Sequence, residues 1–210
     1  MLVGSSKRIG KAPPLDLKLR GQQLEQVPTV KLLGVHMDQY LTWDDHIGHI
    51  VKKCNTGMSQ LNRIRNKLPR RLRKDLAQTL VLSHLDYCSP VWGNTTAKNT
   101  KRLQVVQNRA ARLVLGCDAR TDSATMRHTL GWLPVSERIQ QRSFATFRRL
   151  VRTKMPKTQY RQLTFQSENS RYQTRAATSN SIRLPKPKTN AEKRRFLYRM
   201  SHLWNRTIDA

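Results

Sequence analysis

The chain has 210 residues, with 40 lysines and arginines against 13 aspartates and glutamates, a formal net charge of +27 and a hydrophobic fraction of 37%. That length holds one domain or slightly more, and a lean core, since globular chains are usually about 45–50% apolar. Three irregularly spaced cysteines, Cys54, Cys88 and Cys117, argue against a disulfide framework, and no segment has the ~18–20 apolar residues of a membrane span or the apolar run of a signal peptide.

So strong a basic excess calls for a polyanion to offset self-repulsion. Nucleic acid is the first candidate and an anionic membrane surface the second, with no amphipathic anchor to support it. The expected setting is intracellular, nucleus or cytoplasm, without membrane.

In chain order, the first forty residues, "MLVGSS" among them, read as extended. "PPLDLKLRGQQLEQVPTVKLLGV" alternates apolar and polar residues at Leu15, Leu17 and Leu19, breaks at Gly21 and resumes at Val30 to Val35. Two or three short strands in a hairpin-like set follow from that, too few to bury both faces.

From Thr42, the expected N-cap, the period turns helical, with Asp44 and Asp45 in the first turn and a stripe of Ile47, Ile50, Val51, Cys54, Met58, Leu61 and Ile64. A second helix is expected to open near Pro69, to carry Leu72, Leu76, Leu80, Val81 and Leu85 inward, and to end before Pro90. A third runs from Thr96 as cap, with Leu103, Val106, Ala110, Leu113 and Val114 inward, to Gly116. A short helix over Ser123 to Leu130 stops at Gly131, and "LPVSERIQQRSFATFRRLV" restarts the period. From Lys157 to Asn190 the chain is polar and basic and reads as a linker; Phe196 to Trp204 is apolar again and reads as a docking segment. Trp92, Trp132, Leu133 and Trp204 are the expected aromatic and apolar anchors, with exposure for base stacking as the alternative.

The densest basic patch is "RIRNKLPRRLRK", Arg63 to Lys74, which holds no acid before Asp75. It spans the end of the first long helix and the start of the second, so Arg63, Arg65, Lys67, Arg70, Arg71, Arg73 and Lys74 are expected at one helix–helix corner. With Lys52 and Lys53 on the first helix and Arg102, Arg109 and Arg112 on the third, they form the candidate backbone-binding set. Arg138, Arg142, Arg148, Arg149 and Arg152 continue the theme. Catalytic signatures are scarce. Asp38, Asp44 and Asp45 do not converge as a two-metal site requires. His46 with His49, and His84 with Cys88, have helical spacing for a metal but lack further ligands. No glycine-rich phosphate loop or nucleophile elbow is present.

In this order, "VKLLGVHMDQYLTWDDHI", "LVLSHLDYCSPVWG", "LQVVQNRAARLVLG", "LGWLPVSERI" and "KTNAEKRRFLYRMSHLWN" resemble the C-terminal half of non-LTR (LINE-type, jockey-like) retrotransposon reverse transcriptases, over nearly the whole chain. The resemblance implies that Leu32, Leu33, Gly34 and Val35 match the primer grip, where Gly34 would let the backbone approach the primer, and that the helices after it form a thumb holding a template–primer duplex. It implies a mainly α fold: a short N-terminal β-hairpin element at residues 1–41, a thumb-like helical bundle at 42–155, a poorly ordered basic linker at 156–190 and a docking segment at 191–210. The catalytic aspartates of such polymerases, including the Tyr-x-Asp-Asp pair, have no counterpart here. The whole polymerase would use Mg2+, but no cofactor is expected in this chain. The expected product is therefore a truncated, inactive remnant that binds RNA, RNA–DNA or DNA duplex. Its rivals are a thumb subunit complementing a palm and fingers segment in trans, and a non-catalytic basic RNA-binding or structural protein.

Overall fold

The computed structural model describes residues 1–13, 15–169 and 181–208; the stretch of the expected linker from 170 to 180 lies outside the described residues. A single-turn helix α1 (Ser6–Ile9) precedes four short strands, β1 (Lys18–Leu19), β2 (Gln22–Gln23), β3 (Thr29–Leu32) and β4 (Val35–Asp38). Then come α2 (Asp44–Ile64), a 3-10 turn (Arg65–Lys67), α3 (Arg70–Ala77), a π-helical segment (Gln78–Leu82) and α4 (Ser83–Asp86). After them follow α5 (Ser89–Trp92), α6 (Ala97–Leu115), α7 (Ser123–Leu130), α8 (Val135–Thr153), α9 (Lys157–Tyr160), α10 (Gln166–Asn169), α11 (Asn190–Arg194) and α12 (Phe196–Ile208). The fold is mainly α with small N-terminal hairpins, as the sequence predicts; the first five residues form no strand. The chain divides into two compact units, Met1–Cys88 with Thr95–Val135, and Ser89–Asn94 with Ser136–Ala210.

In the first unit the strands make two antiparallel hairpins, β1 with β2 and β3 with β4. Each turns on two residues, Arg20-Gly21 and Leu33-Gly34, between the paired Leu19 and Gln22 and between Leu32 and Val35. All four turn residues have positive φ, 52° and 82° in the first and 48° and 81° in the second. That combination matches the right-handed twist of the strands, and glycine tolerates it where a leucine or arginine is strained.

Asp38 joins the second hairpin to α2. Its carboxylate accepts from the backbone N–H groups of Tyr40 (3.0 Å), Thr42 (3.1 Å) and Trp43 (2.7 Å). Burial alone would raise its pKa, but these hydrogen bonds outweigh burial and hold it below the usual carboxylate value. The helix consequently starts one residue later than the sequence suggests. Trp43, not Thr42, occupies the cap position, in a left-handed conformation (φ 68°) with its ring buried.

The apolar stripe of α2 is buried at Ile47, Ile50, Cys54, Met58 and Leu61, against α6 and the π segment, while Ile64 is exposed. Of the expected inward face of the second helix, Val81 and Leu85 are buried, and Leu72 needs correction. Leu72 is 48% exposed, and the buried positions are Ala77, Val81, Leu82 and Leu85. A π turn advances the chain by more residues than an α turn, so the buried face shifts register across it. The Cys54 thiol donates to the Val81 carbonyl of that segment (3.4 Å), and burial pushes its pKa up to about 12. One turn along, Gly57 lets the backbones meet: a Cβ there would lie 2.6 Å from the Leu80 carbonyl oxygen. The expected caps of α6 are observed, Thr96 accepting from the Asn99 N–H (3.3 Å) and Gly116 closing the helix at φ 69°.

The second unit is built on aromatic packing. Phe147, Leu150, Leu163, Phe165, Ile182 and Met200 form its core, with Phe144, Tyr160, Phe196 and Trp204 against it. Leu163, Phe165 and Ile182 thus come from the stretch that looked like linker. Phe165 and Ile182 form an antiparallel bridge, and the Asn205 side chain completes the edge by bonding both the N–H and the carbonyl of Ile182 (2.9 and 2.8 Å). Among the expected anchors Trp92 and Trp132 are buried and Trp204 half-buried, but Leu133 is exposed.

Candidate nucleic-acid interface

The basic corner is made by chain geometry. α2 ends at Ile64, the 3-10 turn carries Arg65 and Lys67 outward, and extended Pro69 opens α3 without a side-chain cap. Arg63, Arg65, Lys67, Arg70 and Arg71 are exposed there, whereas Arg73 and Lys74 are half-buried. The first turn of α3 holds no acid. Cations at a helix N-terminus oppose the macrodipole, so this turn gains stability from an external anion.

Arg73 is held differently. Its Nη1 would be 3.8 Å from a Cβ on Gly116, at the C-terminal end of α6, where a cation is favoured. Arg112, half-buried, lies in the last turn of the same helix, and the Nε atoms of both arginines are buried with no hydrogen-bond partner among the described residues. Arg109 is exposed one turn earlier. These residues extend the corner.

Other candidates stand apart from it. Lys52 and Lys53 are exposed on α2, with Lys53 about 15 Å before Arg63 at 1.5 Å rise per residue. Arg102 donates to the Asn99 side chain (3.0 Å) and lies 3.8 Å from the position of a Cβ on Gly48, near the opposite end of α2. Asn99 in turn donates to Asp44 (2.6 Å), so Asp44 ties α2 to α6.

The four residues matched to the primer grip do not share one surface. Leu32, Leu33 and Gly34 are exposed and Val35 is buried. The Leu33 carbonyl accepts from the Tyr87 hydroxyl (2.8 Å), and a Cβ on Gly34 would meet the Tyr87 ring at 3.7 Å. Tyr87 therefore braces the hairpin tip, a contact between residues 54 apart that no local pattern announces.

In the second unit Arg148, Arg149 and Arg152 of α8 line a cavity of about 400 Å3 with Trp204. Among the described residues no group of three or more His, Cys, Asp or Glu is arranged to hold a metal ion, and no helix is long and apolar enough to cross a membrane.

No protein-family model matches the chain, and no solved structure matches it. Two curated proteins of Drosophila melanogaster are similar to it. The probable RNA-directed DNA polymerase from transposon BS is 28% identical over 128 residues, 60% of this chain and 14% of that protein. The probable RNA-directed DNA polymerase from transposon X-element is 27% identical over 137 residues, 61% of this chain and 15% of that protein. The chain thus spans about a seventh of the length of these relatives. By sequence it is related to the RNA-directed DNA polymerases of non-LTR retrotransposons.

Proposed function

We propose that the protein is a thumb-like element of a reverse transcriptase that grips the sugar-phosphate backbone of an RNA–DNA or DNA template–primer duplex, without reading bases and without polymerising. The observation that carries this reading is the acid-free first turn of α3, with Arg70, Arg71 and Arg73 where the helix is already positive, beside Arg63, Arg65 and Lys67. Such a corner is stabilised by phosphates and offers them planar arginine forks. The similarity to RNA-directed DNA polymerases supports a duplex as the partner. The 210 residues carry no Tyr-x-Asp-Asp motif, so polymerisation is not assigned to them.

The test is binding to a labelled RNA–DNA primer–template across a salt series, with primer extension followed in the same samples. Six phosphate contacts give a log–log slope of about −4 to −5. Replacing Arg65, Arg70 and Arg71 together by glutamate should weaken binding equally on unrelated sequences and flatten that slope by about 2 to 3. Losses that depend on sequence, or any extension of the primer, would overturn the reading.

A second reading, a thumb subunit that completes a palm in trans, is favoured by one observation. Leu15, Leu17, Leu19, Leu24, Leu32 and Leu33 of the hairpin region are all exposed, an apolar surface suited to a partner sheet.

A further inference from the structure

We propose that the histidine-lined pocket between the second hairpin, α2 and α4 is an oxyanion site that takes a phosphate group. Four of the six histidines of the chain meet around it. His36 comes from β4, His46 and His49 from the start of α2, and His84 from α4. The ring centroids of His36 and His49 are 4.8 Å apart, and those of His36 and His46 6.3 Å. His46, His49 and His84 line a cavity of about 410 Å3 together with Lys53, Ser83 and Tyr87.

The chemistry of the lining selects the ligand. Among the described residues it contains no carboxylate. The Ser83 hydroxyl is used on the Thr79 carbonyl and the Tyr87 hydroxyl on Leu33, and His49, His84 and Lys53 line the cavity beside them. His46 Nδ1 accepts from the His36 backbone N–H (3.4 Å) and its Nε2 is buried, so this ring forms the back of the pocket while His49 and His84 present imidazole donors at its wall. Burial first, then the neighbouring His36, His49 and Lys53, lowers the His46 pKa to about 4. His49 and His84 are also lowered, by burial and then by Lys53, with His36, Lys31 and Lys52 adding to the effect at His49.

A cluster of donors around one ammonium, facing no acid, is matched by an oxyanion and opposed to a cation. Among the described residues no group of three or more His, Cys, Asp or Glu is placed to hold a metal ion. Bound phosphate would favour the charged imidazoles of His49 and His84, so binding takes up protons and tightens as pH falls. The pocket stands on its own chemistry and does not require the basic corner to grip a duplex.

The experiment is a histidine-resolved NMR titration of the full chain with sulfate and, separately, with the dinucleotide TpT, whose charges stay constant over the range used. Both should shift the His46, His49 and His84 ring signals and leave His128 and His202 in place. Affinity should rise at least about fivefold between about pH 8 and pH 6. Lys53→Gln, a change at an exposed residue, should weaken binding about fivefold or more without altering the thermal melt, and His84→Asn should do the same. Preference for TpT would place the pocket on a nucleic-acid surface, and preference for sulfate would make it a small-oxyanion site; each supports the proposal. Equal shifts at all six histidines, an affinity indifferent to pH, no effect of Lys53→Gln, or micromolar binding of Zn2+ in place of sulfate would overturn it.

Discussion

The two hairpins and the helical body of the first unit are held by different forces. In the helical body Ile47, Leu61, Val81, Leu85, Leu103 and Val114 are buried, and backbones approach so closely at Gly57 that no side chain fits. In the hairpins Leu17, Leu19, Leu32 and Leu33 are exposed, and the conformation rests on positive-φ turns and polar ties from Asp38 and Tyr87. Burial of apolar surface stabilises the body more than hydrogen bonding does, whereas the hairpins depend on local geometry and a few hydrogen bonds. Substitutions should therefore cost several times more in the body than in the hairpins.

The largest loss is expected from Leu61→Ala, which empties a fully buried site on α2 and should cost about 2–5 kcal/mol in a urea titration. Next comes Gly57→Ala. The new Cβ would sit 2.6 Å from the Leu80 carbonyl oxygen, a backbone atom that cannot rotate away. The loss from overpacking is about 1–3 kcal/mol, minus the roughly 1 kcal/mol that alanine gains over glycine in a helix. A neutral outcome would mean that the π segment yields, and that the body is looser than its burial implies.

Asp38→Asn crosses from body to hairpin and should cost about 1–2 kcal/mol at neutral pH, since three N–H groups lose a charged acceptor. The folded pKa lies below the ordinary carboxylate value, so the wild-type contribution is present above that value and disappears as pH falls through the folded pKa. Melting temperatures of wild type and variant should consequently converge toward acid. A gap that persists at low pH would show that geometry, not charge, supplies the tie.

Helix existence was legible because periodicity and caps are local: Thr96 and Gly116 bracket α6 where their residue types place them. The register of the second helix was legible only in part, at Val81 and Leu85, because nothing in "LAQTLVLSHL" announces the π turn across which Leu72 is exposed and Leu82 buried. The core role of Leu163, Phe165 and Ile182 was hidden for another reason. They are isolated apolar residues in polar surroundings, and only a bridge between Phe165 and Ile182, completed by Asn205, buries them. Of the candidate interface, the Arg63 to Lys74 corner could be read from charge density and helix ends. The separation of Arg102, the inward turn of Val35, the brace from Tyr87 and the meeting of His36 with His46 and His49 are tertiary and leave no local trace.

The smallest expected effect has the opposite sign. Leu33 holds φ 48° at the hairpin tip while 83% exposed, so it bears backbone strain without apolar burial in return. Leu33→Asn creates the Asn-Gly pair that two-residue turns of this kind favour and keeps the carbonyl that receives the Tyr87 hydroxyl; the variant should gain about 0.5–1 kcal/mol. A loss would mean that the leucine side chain is anchored within the fold after all. If the variant is more stable yet binds primer–template duplex less tightly, the strained leucine serves contact with the ligand, and strain at the tip is retained for binding, as strained residues at functional sites often are. If stability rises and binding does not change, the tip lies outside the proposed duplex-binding surface.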